Sequence, residues 1–173
     1  MDRVSAPNYV TVGGKRLFVD RNLGTNTPGT GLNATWHIGV QESIILTVEA
    51  AGLTPTDADN TQLHQAIPIL VTAMFTGANQ LLSGQGYQKL PGGLILQWSY
   101  DPTPIPTGNG DVVTFPIAFP NAILTIVASD CGGGCHATGW QINGTSKSSF
   151  LAFGRDPSGA FASTAYGYLA VGN

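Results

Sequence analysis

The stretch Ser83-Gly84-Gln85-Gly86 marks the point at which the hydrophobic period of this 173-residue chain changes. On its amino-terminal side apolar residues recur at helical spacing. On its carboxy-terminal side they alternate, and turn-forming residues become dense. That change predicts an α+β chain: a helical segment up to about Leu82, then an antiparallel all-β module of sandwich or jelly-roll type.

Working back from Ser83, Leu63, Ile67, Leu70 and Met74 follow one another at heptad-like spacing, with Pro68 inside the stripe. Proline removes a helical hydrogen bond, so a kink or restart is expected there. Thr56 and Asp59 resemble the opening of a capping box for this helix. Further back, Trp36, Val40, Ile44, Val48 and Ala51 line one face of a helix over residues 33–51, with Asn33 as its expected cap and Gly52 as its stop. Two readings of the stripes stay open: packing within one chain, or a short bundle between identical chains. Residues 8–20 suggest a hairpin around Gly13-Gly14.

Working forward, residues 93–100, 111–119, 122–129, 138–143, 149–153 and 162–171 read as strands rich in Ile, Val, Thr and aromatics. Segments 101–110, 131–137, 143–147 and 154–159 separate them and are turn-forming.

Composition narrows the function. Charged side chains make up 10% of the chain, against roughly 25% in an ordinary domain. Seven Lys and Arg against ten Asp and Glu give a net charge of -3, which leaves no basic stripe for nucleic acid. No apolar run is long enough for a transmembrane helix, and residues 1–14 carry no secretory signal. The surface must instead be covered by Thr, Ser, Asn, Gln and Gly, as in a particle exposed to harsh conditions or a self-associating chain.

Catalytic constellations are sparse. His37 and His64 fall on the expected helices, and no Gly-x-Ser-x-Gly elbow is present. A carboxylate pair for glycan hydrolysis would have to come from Asp101, Asp111, Asp130 and Asp156, which sit at expected turns or strand ends. The cluster Cys131-Gly132-Gly133-Gly134-Cys135-His136 leaves three alternatives: free thiols on a glycine loop, a local disulfide, or a shared metal held by Cys131, Cys135 and His136. No cofactor is expected. For surface glycans, exposed aromatics beside polar side chains are the usual contacts, and Tyr100, Asp101, His136, Trp140, Arg155 and Asp156 are the candidates. The competing reading places Trp98 and Trp140 in the core.

Two segments are more specific. The run Gly29-Thr30-Gly31-Leu32-Asn33-Ala34-Thr35-Trp36, continuing through Val40-Gln41-Glu42 to Ala50-Ala51-Gly52-Leu53-Thr54-Pro55 and Asp59-Asn60-Thr61-Gln62-Leu63, resembles a module of phage and prophage tail-fibre proteins. The second joins Gly86-Tyr87-Gln88-Lys89-Leu90-Pro91-Gly92-Gly93-Leu94-Ile95-Leu96-Gln97-Trp98 to Thr114-Phe115-Pro116-Ile117-Ala118-Phe119-Pro120-Asn121 and the terminal Tyr168-Leu169-Ala170-Val171-Gly172-Asn173. In that order these resemble the carboxy-terminal domain of bacteriophage tail fibres. Ser99 departs from the glycine common after Gln-Trp, and the Cys-Gly-Gly-Gly-Cys loop lies outside the shared pattern.

The resemblance implies a homotrimeric structural protein of a phage tail particle, not an enzyme. It implies an attachment segment over residues 1–28, a helical trimerisation segment over 29–82 and a receptor-binding tip over 83–173. Its partners would be other tail or baseplate proteins and a bacterial surface polysaccharide or lipopolysaccharide. Pro91, Trp98, Phe115, Phe119 and Tyr168 would be core or interface positions. A baseplate component without host contact and a polysaccharide depolymerase are the alternatives.

Overall fold

A computed structural model describes residues 7–31, 34–132 and 137–173. The chain divides into two compact units, one ending at Val71 and the other spanning Thr72–Asn173.

The first unit opens with the expected hairpin, β1 (Val10–Val12) and β2 (Lys15–Leu17), in antiparallel register across the Gly13-Gly14 turn. Thr30 ties down the segment that follows. Its hydroxyl accepts from the Val19 amide at 2.9 Å and donates to the Asn8 carbonyl at 2.7 Å. Phe18 meets Trp36 edge-on, with centroids 5.0 Å apart, at the first turn of α1 (Ala34–Ala50). Asn33, the expected cap, lies outside the described residues.

Gly52 ends α1 as anticipated. Its φ of +78° allows the Gly52 amide to reach the Glu49 carbonyl at 2.8 Å and the Leu53 amide to reach Val48 at 3.2 Å, the paired bonds of a Schellman ending.

The second helix differs from expectation at its start. α2 runs from Gln62 to Ala73, and Thr56 does not cap it. Thr56 accepts only from the nearby Ala58 amide, whereas Asp59 accepts from the Thr61 amide and hydroxyl at 2.8 and 2.6 Å. Short polar side chains close turns as readily as they cap helices, so the capping spacing marks the wrong residue. Pro68 lies inside α2 without a restart. Met74, counted in the stripe, lies beyond the last helical residue.

The second unit holds two antiparallel sheets. One consists of β3 (Gln80–Leu81), β4 (Gln85–Lys89), β5 (Ile95–Ile105), β10 (Thr164–Gly172) and β7 (Ile123–Asp130), in that spatial order. The other consists of β6 (Asn109–Thr114), β9 (Ser149–Arg155) and β8 (Ala137–Ile142), in that order. A core of Phe115, Phe119, Phe150, Tyr166 and Tyr168, with Ile95, Ile105, Ile126, Ala152 and Ala170, lies on their inner faces. Phe115, Phe119 and Tyr168 are buried as expected. Pro91 is exposed in the tight connection between β4 and β5, and Trp98 is half-buried on an outer face. The largest buried polar side chain is Gln97, which accepts from the Ile117 amide at 3.0 Å and donates to the Ile117 carbonyl at 2.9 Å. Both ends of its amide are thereby satisfied, which makes full burial tolerable.

Candidate functional site

Three strand connections gather, in their described residues, at one end of the β-domain: residues 106–108, 131–132 and 156–163. Pairing fixes this arrangement, since Ile105 lies opposite Thr164, Asp130 opposite Tyr166 and Arg155 opposite Ala137. Each connection is braced by an aspartate. Asp111 accepts from the Gly108 and Thr107 amides at 2.8 and 3.1 Å and from the Thr107 hydroxyl. Asp130 accepts from the Thr164 hydroxyl at 2.6 Å and the Gly132 amide at 2.8 Å. Asp156 accepts from the Ser158 hydroxyl and amide at 2.6 and 2.8 Å and from the Ala160 amide at 3.0 Å. The Ser158 hydroxyl contributes most to holding the Asp156 carboxyl below its ordinary range. These carboxylates serve their own loops, and rigid loops on a packed scaffold suit recognition.

The sequence candidates divide among different surfaces. Arg155 and Asp156 open the 156–163 connection. Arg155 donates to the Gly159 carbonyl at 2.6 Å and stacks 4.2 Å above the Phe161 ring, itself partly exposed. Trp140 lies opposite Ala152, on the face of β8 that looks toward the core, and keeps 37% of its surface. Arg155 is paired with Ala137, on the opposite face of the same sheet. Tyr100 and Asp101 are not on a turn, because β5 continues to Ile105. Tyr100 points outward from the five-stranded sheet and is 62% exposed. His136 and Cys135 lie outside the described residues, as does the side chain of Asp101. Cys131 is half-buried, its Sγ 3.9 Å from the Ser129 hydroxyl.

Phe161 was not among the expected contacts, although its signal was present. Asp156-Pro157-Ser158-Gly159 is a turn sequence, and a turn there sets Arg155 opposite Phe161, as the isolated bridge between them records.

In the first unit, a cleft of about 400 Å³ is lined by Ile44, Ile45, Val48, Pro55, Asp57 and Leu63 among others. Two of its polar side chains are engaged locally: Gln62 bonds Thr54 and Thr56, and Asp59 bonds Thr61 and Gln65. Among the described residues no group of three or more His, Cys, Asp or Glu could hold a metal. No helix among them is long and apolar enough to cross a membrane.

Comparison with known proteins places these features. Residues 89–173 match the family model of the gp53-like tail fiber protein, C-terminal. The uncharacterized protein StfP of Escherichia coli strain K12 is 25% identical, over 92% of each chain. An R2 pyocin fibre structure from P. aeruginosa is 22% identical over 70% of this chain and 30% of its own, with a TM-score of 0.46. An N-truncated R2-type pyocin tail fibre is 20% identical over 96% of this chain and 55% of its own, also with a TM-score of 0.46. The chain thus spans about a third and about half of those two fibre structures. Residues 89–173 are thus similar to the gp53-like tail-fibre C-terminal domain, and together the family match and the relative support a phage tail-fibre protein.

Proposed function

We propose that this chain is the host-contacting segment of a phage tail fibre. It assembles as a homotrimer through its helical region, joins other tail or baseplate proteins through its amino-terminal segment, and presents a two-sheet sandwich to a bacterial surface polysaccharide or lipopolysaccharide. The observation that carries this reading is the coincidence of the tail-fibre family match with the domain whose three braced connections meet at one end. Arg155, fixed by Gly159 and stacked on Phe161, supplies an oriented guanidinium beside an exposed aromatic edge, a pairing suited to sugar hydroxyls and charged substituents.

The helical region supports the trimer. In α1, Ile38, Ile44 and Leu46 are exposed while Val48 is the buried residue, and in α2 Ile67, Ile69 and Val71 are exposed beside buried Ala66. A helix that is apolar on most sides is one that other helices surround. Low surface charge lets copies meet without desolvating ions.

Binding of the fluorescent full chain to a panel of Gram-negative strains, followed by flow cytometry, tests the function. Binding to a subset of strains, abolished by stripping surface polysaccharide and lowered several-fold by Arg155→Gln with Phe161→Ala, is expected. Absence of binding across strains known to carry diverse surface glycans would overturn the reading.

A further inference from the structure

The β5 strand is built the wrong way round for a domain that stands alone in water. Its inward positions are Ile95, Gln97 and Ser99, two of them polar, whereas its outward positions are Leu96, Trp98 and Tyr100. The register extends this face across the sheet. Trp98 lies opposite Leu169, which lies opposite Val127; Leu96 lies opposite Val171; Tyr100 lies opposite Gly167. Leu169 and Val127 are 46% and 64% exposed. An antiparallel sheet with one wet face ordinarily alternates apolar inside with polar outside, whereas here the outward positions Leu96, Trp98 and Tyr100 of β5 continue into Leu169 and Val127 as one apolar strip, flanked on β7 by Thr125 and Ser129.

We propose that this outer face of the five-stranded sheet is a contact surface between copies of this chain. The inference rests on the self-associating fibre described above and carries it from the helices into the β-domain. A glycan is a poor occupant. The paired outward positions of β5, β10 and β7 carry no charge, and the Trp98 indole N–H is already given to the Ser83 carbonyl at 3.0 Å. A second charge-free face of the same kind fits without stranding an ion or a donor. The exposed apolar area is on the order of several hundred Å², a size that marks interaction surfaces. It falls short of the roughly 800 Å² per partner of a standard interface, so the face acts jointly with the helices.

The test places the photoreactive residue p-benzoylphenylalanine at Tyr100 or Leu169 of the full chain, with Val112 on the other sheet as a comparison position. Each protein is sedimented, irradiated and run on a denaturing gel. Interchain cross-links from Tyr100 and Leu169 positions, stronger than from Val112, are expected. As a second variant, Leu169→Lys should raise the concentration at which subunits separate by at least tenfold. A protein that sediments as a multimer yet gives no interchain bands from either position overturns this inference alone. A monomer overturns it together with self-association.

Discussion

The rings of Phe150 and Tyr168 meet edge-on with centroids 5.1 Å apart, and this contact joins the three-stranded sheet to the five-stranded one. Phe115 packs against both, at 5.3 and 5.7 Å. Phe150 is fully buried, so truncation leaves a cavity that rigid strands cannot close. Phe150→Ala should destabilise the β-domain by about 3–5 kcal/mol, read from chemical denaturation. A loss below about 1 kcal/mol would mean that the two sheets do not depend on this cluster.

Tyr166 and Tyr168 occupy alternate inward positions on β10 but differ at their hydroxyls. Tyr166 donates to the Gly139 carbonyl at 2.8 Å, whereas the buried Tyr168 hydroxyl has no partner among the described residues. Removing a bonded hydroxyl loses about 1 kcal/mol and strands its acceptor, while removing an unpaired one relieves a desolvation penalty. Tyr166→Phe should therefore lower stability, and Tyr168→Phe should leave it unchanged or raise it. The reverse order in thermal or urea unfolding would contradict the hydroxyl assignments.

The same tyrosines set an alkaline limit. Burial raises the Tyr168 hydroxyl from 10.0 to about 12 and raises Tyr166 further. Both pKa values are higher folded than unfolded, so this contribution is fully present below pH 10 and fades as pH rises through about 12. Tyrosinate absorbance should show a late component from Tyr166 and Tyr168, lost in Tyr166→Phe with Tyr168→Phe, that rises together with loss of circular dichroism. Ionisation of these two tyrosines near pH 10 in the folded protein would refute it.

Gly108 and Gly159 both sit at positive φ, +65° and +85°, at the loop end of the domain. A Cβ on Gly159 meets nothing, whereas one on Gly108 collides with the Ala162 backbone. Gly159→Ala should destabilise by about 1–2 kcal/mol, the strain of a left-handed residue. Gly108→Ala should cost clearly more, since the 106–108 and 156–163 connections must part to admit it. Equal losses in denaturation would argue that the two connections are not packed together.

Much of this architecture is legible in the chain because local signals agree with one another. The Gly13-Gly14 turn, the Trp36 to Ala51 stripe and the Gly52 stop all report the first unit correctly, and the Phe-rich segment around Phe115 and Phe119 reports the core. Legibility fails where a long-range contact overrides the local pattern. β4 was hidden because Gly86 reads as a turn, yet glycine there makes room for the Trp98 ring across the sheet. Residues 101–110 read as turn-forming after a strand ending at Tyr100, yet antiparallel pairing with β10 carries β5 on to Ile105. The inversion of β5 escapes period counting altogether, since only the backbone of Ile117 makes Gln97 an interior residue. Of the candidate contacts, residue type alone could not separate the faces on which Tyr100, Trp140 and Arg155 lie.

Leu46 on α1 and Ile67 on α2 are 59% and 52% exposed in the single chain. Exposed substitutions away from special features ordinarily stay within about 0.5 kcal/mol. If copies of the helices surround one another, Leu46→Glu or Ile67→Glu instead places a charge in an interface and lowers the assembly's dissociation midpoint sharply. Unchanged assembly in both variants would confine self-association to other surfaces.

Self-association underlies both the fibre reading and the proposed sheet contact, so the most direct measurement is the molar mass of the full chain in solution, by light scattering after size-exclusion chromatography. A mass near three times 18.0 kDa is expected. A stable monomer across the accessible concentration range would contradict the account, because the apolar faces of α1, α2 and the five-stranded sheet would then be left facing water.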